Sequence, residues 1–103
     1  MSFDFEKLLG SNTIVFLYFK NETCQPCKVL RVKVEALISQ KFPEIKFVVL
    51  DIVNYPELVS KCNVLSSPTM LLYIENKEYF RGGIYTSISE LEEKIGKYYK
   101  MIF

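Results

Sequence analysis

Residues 14–28 read IVFLYFKNETCQPCK, a segment in which an apolar run leads to two cysteines separated by two residues. The run 14–19 is typical of a β-strand covered on both faces, and an amphipathic helical pattern begins near Lys28. A Cys-x-x-Cys motif at a strand-to-helix junction is typical of a thiol–disulfide redox site. One helical turn brings the two sulfurs close enough for a disulfide, and the unpaired N–H groups of a helix start favour a thiolate on the first sulfur. The segment therefore predicts Cys24 as the nucleophile and Cys27 as the resolving thiol.

The length and composition of the chain predict a single domain over residues 1–103. Half of the 103 residues are hydrophobic, which is enough to fill one core. The 13 basic and 12 acidic residues produce no large field, so we expect neither a nucleic-acid partner nor a membrane partner. No apolar run approaches the roughly 18 to 20 residues that span a bilayer. Because residues 1–6 also lack a basic flank and a signal core, the sequence predicts a cytoplasmic protein.

Hydrophobic periodicity predicts an alternating order of helices and strands in the first two thirds of the chain. The predicted elements are a helix over 4–9 ended by Gly10, a central parallel strand over 13–20, a helix from Cys24 to about Lys41, a strand over 46–53 and a helix from Pro56 through Cys62. The cysteine pair therefore opens the longest helix of this half.

The last third of the chain predicts an antiparallel hairpin followed by a helix. Strands over 69–74 and 78–81 are separated by the polar turn 75–77, which is too short for a parallel crossover. Residues 87–90 have the spacing of a capping box, and Leu91 and Ile95 continue an amphipathic helix. The predicted sheet is therefore mixed.

From about Phe3 to Tyr98, this order of elements and motifs resembles the thioredoxin family. The resemblance is carried by the Cys-x-x-Cys and Lys28, by residues 54–58 (NYPEL), by Ser67-Pro68-Thr69, and by a glycine at 82 or 83. It implies an α/β, thioredoxin-like fold with a mixed central sheet of four to five strands flanked by helices. It also implies dithiol–disulfide exchange with disulfide-containing protein substrates.

The resemblance further implies a substrate surface around the cysteine pair. Thr23, Gln25 and Pro26 belong to the loop that carries the pair. The family places a cis-proline opposite the disulfide, which here is Pro68, and the backbone of Ser67 would pair with an extended substrate peptide. Gly83, or Gly82, would leave space beside this surface because glycine has no side chain. A simple bend after the hairpin explains these glycines equally well.

Three positions depart from the family pattern. Thr23 replaces the tryptophan that usually precedes the first cysteine, and Gln25 replaces a glycine at a position that influences reduction potential. Tyr18 stands where the family has a buried aspartate, and Val49 where it has the lysine companion. Proton transfer to or from Cys27 therefore lacks its usual carboxylate. Glu22 has two interpretations: it replaces this carboxylate by acting through a water or, more simply, it is a solvated loop residue.

Two other functional classes compete with the redox interpretation. A thioredoxin-fold module that only binds a partner is consistent with the lost tryptophan and aspartate. A zinc site is disfavoured because the chain has no histidine and no second Cys-x-x-Cys, which leaves Cys62 and a carboxylate to complete the ligands. The simpler interpretation of Cys62 is that it packs as a small apolar residue, and the alternative is that it is a regulatory thiol.

No flavin or nicotinamide fingerprint is found in the sequence, so we expect no bound cofactor. Turnover then requires an outside electron donor, either a separate reductase or a low-molecular-weight thiol. We expect the protein to act as a monomer.

Overall fold

The computed structural model describes residues 4–21 and 25–103, and the side chains of these residues except for 25–27. The elements are α1 (Phe5–Ser11), β1 (Ile14–Lys20), α2 (Gln25–Lys41), β2 (Lys46–Asp51), α3 (Pro56–Lys61), β3 (Thr69–Ile74), β4 (Lys77–Gly82) and α4 (Ile88–Ile102). Every predicted helix and strand is present, with boundaries shifted by a few residues at most. None of the helices in the described ranges is both long enough and apolar enough to cross a membrane.

The four strands form one mixed sheet in the order β2-β1-β3-β4. β1 pairs in parallel with β2 and antiparallel with β3, and β3 pairs antiparallel with β4. The strand β1 is central, and all of its residues except Lys20 are buried, as expected for a continuous apolar run covered on both faces. The predicted thioredoxin-like fold with a mixed, helix-flanked sheet is confirmed.

Each face of the sheet has its own hydrophobic core. Alternate residues of β1 and β3 point to opposite faces, as strand geometry requires. One core lies between the sheet and helices α2 and α4; it includes Phe16, Tyr18, Val34, Ile38, Met70, Leu72, Leu91 and Ile95. The other lies beneath α1 and α3; it includes Leu9, Leu17, Phe19, Leu58, Cys62, Leu71 and Tyr73. Helix α2, whose first turn contains Cys27, therefore belongs to the first face.

The hairpin between β3 and β4 contains a two-residue turn and a β-bulge. Glu75 and Asn76 have φ of 49° and 72°, as in the tight turns that suit hairpins, so Lys77 already belongs to β4 rather than to the turn. Leu72 lies opposite Phe80 whereas the next residue of β3, Tyr73, lies opposite Glu78. The intervening residue of β4, Tyr79, is therefore the extra residue of the bulge.

Side-chain caps set two element boundaries. The strand predicted to reach Val53 ends at Asp51, because the Asp51 carboxylate accepts a hydrogen bond from the Val53 N–H at 2.9 Å and turns the chain. Helix α4 begins as predicted: the Ser87 hydroxyl accepts a hydrogen bond from the Glu90 N–H at 3.1 Å.

Candidate active site

The second cysteine of the Cys-x-x-Cys motif lies in α2, the helix that follows β1. Cys27 belongs to the first turn of this 17-residue helix, next to backbone N–H groups that have no partner within the helix. Glu22, Thr23 and Cys24 lie outside the described residues, as do the side chains of Gln25, Pro26 and Cys27. The backbone thus places Cys27 at the helix end whose partial positive charge favours a thiolate.

The Ser67–Pro68 peptide bond is cis, as predicted. Pro68 is buried and directly precedes β3, whose first residue, Thr69, pairs with Phe19 of β1. The proline therefore lies at the end of the central strands, where β1 leads into α2. The Thr69 hydroxyl donates a 2.6 Å hydrogen bond to the Ser66 carbonyl, which fixes the loop ahead of the proline.

The two glycines after β4 have different structural roles. A Cβ atom on Gly83 would lie 3.4 Å from the Pro68 carbonyl oxygen, so this glycine adjoins the cis-proline. A Cβ atom on Gly82 would lie 2.5 Å from the Thr86 hydroxyl, so Gly82 is required by the loop that follows. The Gly83 N–H donates to the Thr86 hydroxyl and the Thr86 N–H donates to the Gly83 carbonyl, both at 3.0 Å.

The structure brings Ser67, Pro68 and Gly83 together around one open groove of about 510 Å³. The remaining lining residues are Ser66, Ile84, Tyr85, Thr86 and Glu90. The sequence did not predict Ile84, Tyr85, Thr86 and Glu90 as lining residues. The available signal was the pair of adjacent glycines ahead of the capping box. Such a pair indicates a loop, and an aromatic residue in a loop has no helix or strand face to pack against. Tyr85 is 97% exposed.

Tyr18 and Val49 are register partners on β1 and β2, on the face that α2 covers. Tyr18 is fully buried, and this burial raises its pKa to about 12, while the charge of Arg31 acts in the opposite direction. The phenol therefore keeps its proton at neutral pH and is not a general base. Tyr18 and Val49 thus leave this position without a carboxylate and without a lysine.

A carboxylate does lie two residues further along the same strands. Lys20 and Asp51 are register partners at the ends of β1 and β2, and Lys20 Nζ lies 3.4 Å from Asp51 Oδ2. Both side chains are mostly buried, at 23% and 15% exposure. The ion pair joins residues 31 positions apart, so only the strand register reveals it.

Cys62 lies on the opposite face from α2, at the C-terminal end of α3. Its side chain is buried, and the Tyr73 hydroxyl donates to its Sγ at 3.7 Å. Burial raises the pKa of the Cys62 thiol. These observations confirm that Cys62 is a packed residue. Within the described residues, no three His, Cys, Asp or Glu side chains cluster as a metal site would require.

The fold combines a mixed four-stranded sheet with a Cys-x-x-Cys sequence whose second cysteine lies in the first turn of α2. A cis-proline lies at the same end of the sheet. These features together define a thioredoxin-like redox protein. The thioredoxin family model matches residues 2–97. Thioredoxin H2 of Arabidopsis thaliana is 31% identical over 93 residues, which cover 90% of this chain and 68% of that protein.

Solved structures agree with these sequence matches. The X-ray structure of Fasciola hepatica thioredoxin superposes with a TM-score of 0.79 at 29% identity, covering 89% of this chain and 88% of that one. Oxidised mitochondrial thioredoxin 3 of Saccharomyces cerevisiae gives 0.80 at 26% identity, with 90% and 86% covered.

The chain belongs to the thioredoxin family. It is a thiol–disulfide oxidoreductase, and thioredoxins in general act on disulfide substrates together with a reductase.

Proposed function

We propose that Cys24 and Cys27 carry out the exchange within a single domain formed by residues 1–103. The Cys24 thiolate attacks one sulfur of a substrate disulfide, and the other substrate sulfur leaves as a thiolate. Cys27, deprotonated, then attacks Cys24 Sγ and releases the second substrate thiol. Two electrons pass to the substrate, and a Cys24–Cys27 disulfide remains.

The position of Cys27 at the start of α2 is the observation that carries this proposal. A helix start stabilises negative charge on a nearby sulfur. Pro68 lies at the same end of the sheet as this helix start. Cys62 is unsuitable for the same chemistry because burial raises its pKa.

We further propose that Ser67, Pro68 and Gly83 hold the substrate, together with Thr23, Gln25 and Pro26. Within the described residues, the Ser67 backbone makes no hydrogen bond, so it is available to an extended peptide. Pro68 has no N–H to compete for a sulfur, and Gly83 leaves room beside it. The Lys20–Asp51 ion pair holds a carboxylate at this strand end, where the family aspartate is absent.

The electron donor in this proposal is a separate reductase or a low-molecular-weight thiol, and the protein works as a cytoplasmic monomer without a bound cofactor. The near balance of 13 basic and 12 acidic residues supports a partner other than nucleic acid or a membrane.

Cysteine variants test the role assignment directly. Cys24→Ser is expected to abolish disulfide reduction, and Cys27→Ser to accumulate a covalent complex with substrate through Cys24, visible by mass spectrometry. Cys62→Ala is the matched control and is expected to keep full activity. In defined dithiothreitol ratios, the wild type should show a two-electron transition between about −270 and −180 mV. An active Cys24→Ser protein would overturn the assignment.

A further inference from the structure

Among the residues that the structure describes, the groove beside Pro68 carries a single charge. Its walls are residues 66–68 on one side and residues 83–86 on the other, and none of these is ionisable except the Tyr85 phenol. Glu90, in the first turn of α4, supplies a carboxylate at the same groove. The groove is therefore weakly acidic.

The Glu90 carboxylate has no ion-pair partner within the described residues. Its neighbour on α4, Glu92, pairs with Lys41 at 2.7 Å. The hydrogen bond at Glu90 to Ser87 uses the backbone N–H and leaves the side-chain oxygens available. A cation in the groove would thus meet a carboxylate that no described residue pairs with.

The loop of residues 83–86 presents an exposed aromatic ring on a fixed turn. Tyr85 is 97% exposed, and the paired hydrogen bonds between Gly83 and Thr86 close the loop that carries it. An aromatic ring on a pre-formed loop binds a long side chain with little loss of conformational entropy. The aliphatic stem of Lys or Arg packs on such a ring, and its charged end interacts with the ring face.

We propose that Glu90 and Tyr85 make this groove select a basic residue, Lys or Arg, in the substrate segment that flanks the target disulfide. The side chain lies along Tyr85 and brings its cation to the Glu90 carboxylate. This inference rests on the proposed function, because it requires the substrate to lie along Ser67 and Pro68. It assigns Glu90 and Tyr85 a role in substrate specificity.

The expected selectivity is modest, since the ion pair is exposed to solvent. A pair of this kind changes a rate constant by about two- to fivefold at low ionic strength. Salt weakens it, because the screening length falls from about 30 Å at 0.01 M to about 3 Å at 1 M.

The test uses single-turnover reduction of disulfide peptides by the pre-reduced protein. Each reaction oxidises one Cys24–Cys27 dithiol and converts one peptide disulfide into two thiols. The peptides carry one Lys at successive positions on either side of the disulfide, and reference peptides carry Gln at the same positions. We expect the wild type to reduce the best Lys peptide about two- to fivefold faster than its Gln counterpart.

The variants isolate the Glu90 charge. Glu90→Gln keeps the N3 residue of the capping box and should bring the Lys/Gln ratio to one. Glu90→Lys should reverse the preference in favour of a Glu peptide. Glu93→Gln is the matched control, since Glu93 is exposed on the same helix but does not line the groove, and it should leave the ratio unchanged. Tyr85→Ser should lower the rate for every Lys peptide and leave the Gln peptides less affected.

Uncharged hydroxyethyl disulfide separates the two hypotheses. Equal reduction of this compound by the wild type and by Glu93→Gln, together with a Lys preference confined to proteins with intact Glu90, supports the inference. Reduction of this compound with a Lys/Gln ratio of one at every position would overturn the inference alone. No reduction of any disulfide would overturn both the proposed function and the inference.

Discussion

The start of α2 and the end of α3 each hold a cysteine, but they present opposite helix ends on opposite faces of the sheet. Cys27 belongs to the first turn of α2, where backbone N–H groups favour a negative charge. Cys62 caps the C-terminus of α3, where carbonyl groups disfavour one. Helix polarity therefore favours a thiolate at Cys27, whereas helix polarity and burial both disfavour one at Cys62.

The end of α3 is also closed by its neighbours. Arg81 of β4 donates to the carbonyl groups of Cys62, at 2.7 Å, and Asn63, at 3.0 Å. The Tyr73 hydroxyl contacts the sulfur itself. These contacts use carbonyls at a helix end, whereas the N–H groups at the start of α2 have no partner within the helix.

The largest expected effect comes from placing a carboxylate beneath α2. Tyr18→Asp removes a fully buried ring and buries an acid next to Val49, which offers no charge. We expect the free energy of unfolding in urea to fall by about 3–5 kcal/mol. Tyr18→Phe, the control, removes only the hydroxyl and should cost about 1 kcal/mol. A cost below about 1 kcal/mol for Tyr18→Asp would contradict the described packing.

Thiol accessibility tests the comparison of the two helix ends itself. In a Cys24→Ser/Cys27→Ser protein, Cys62 is the remaining thiol. We expect iodoacetamide to modify it at least about a hundredfold more slowly in the native state than in urea, because reaction requires local opening. Mass spectrometry after timed quenching measures both rates. Similar native and unfolded rates would mean that α3 does not bury its cysteine.

Arg81→Gln should loosen the end of α3. The variant loses the contacts to the Cys62 and Asn63 carbonyls and its ion pair with Glu78, so we expect a destabilisation of about 1–2 kcal/mol. Native alkylation of Cys62 should accelerate accordingly. Lys77→Gln, an exposed change on the same strand, is the control and should alter neither quantity. If both variants behave alike, the Arg81 contacts do not contribute.

The smallest effect is a pH dependence at Cys62. Burial raises the pKa of this thiol above its ordinary value of 9.0, so the folded state holds a proton that the unfolded state releases. Stability from this source is complete below that value and declines as pH rises beyond it. Cys62→Ala should cost about 1 kcal/mol at pH 7 and less at pH 10, measured by urea unfolding. A cost independent of pH would contradict a raised pKa.

Most of the fold was predictable because local signals agree with the tertiary structure. The buried run of β1, the proline that opens α3 and the capping box of α4 each specify one element. The end of β2 was predicted wrongly at Val53, since Ile52 and Val53 are apolar and only the Asp51 side chain ends the strand. Turn chemistry outweighed the hydrophobic pattern at this position.

Less of the candidate site was predictable. The cis Ser67–Pro68 bond followed from the resemblance to the thioredoxin family, but the choice between Gly82 and Gly83 depended on distances to Thr86 and Pro68. The Lys20–Asp51 pair and the groove at Tyr85 and Glu90 join residues that are distant in sequence. Such contacts depend on strand register and loop closure, and neither leaves a periodic pattern.

The β-bulge at Tyr79 decides which side chains of β4 share a face of the sheet. In a regular strand, residues three apart face opposite sides, yet Glu78 and Arg81 share one face and lie 2.9 Å apart. The extra residue also lets Tyr79 reach Tyr98 of α4 while Phe80 packs in the core on that same side. Deleting Tyr79 would restore regular alternation, so Glu78 and Arg81 would still share one face, but β4 would lose the ring that contacts Tyr98 of α4. A one-residue deletion in an edge strand would thus weaken the contact between β4 and α4 on one face of the sheet and keep the ion pair beside Cys62 on the other.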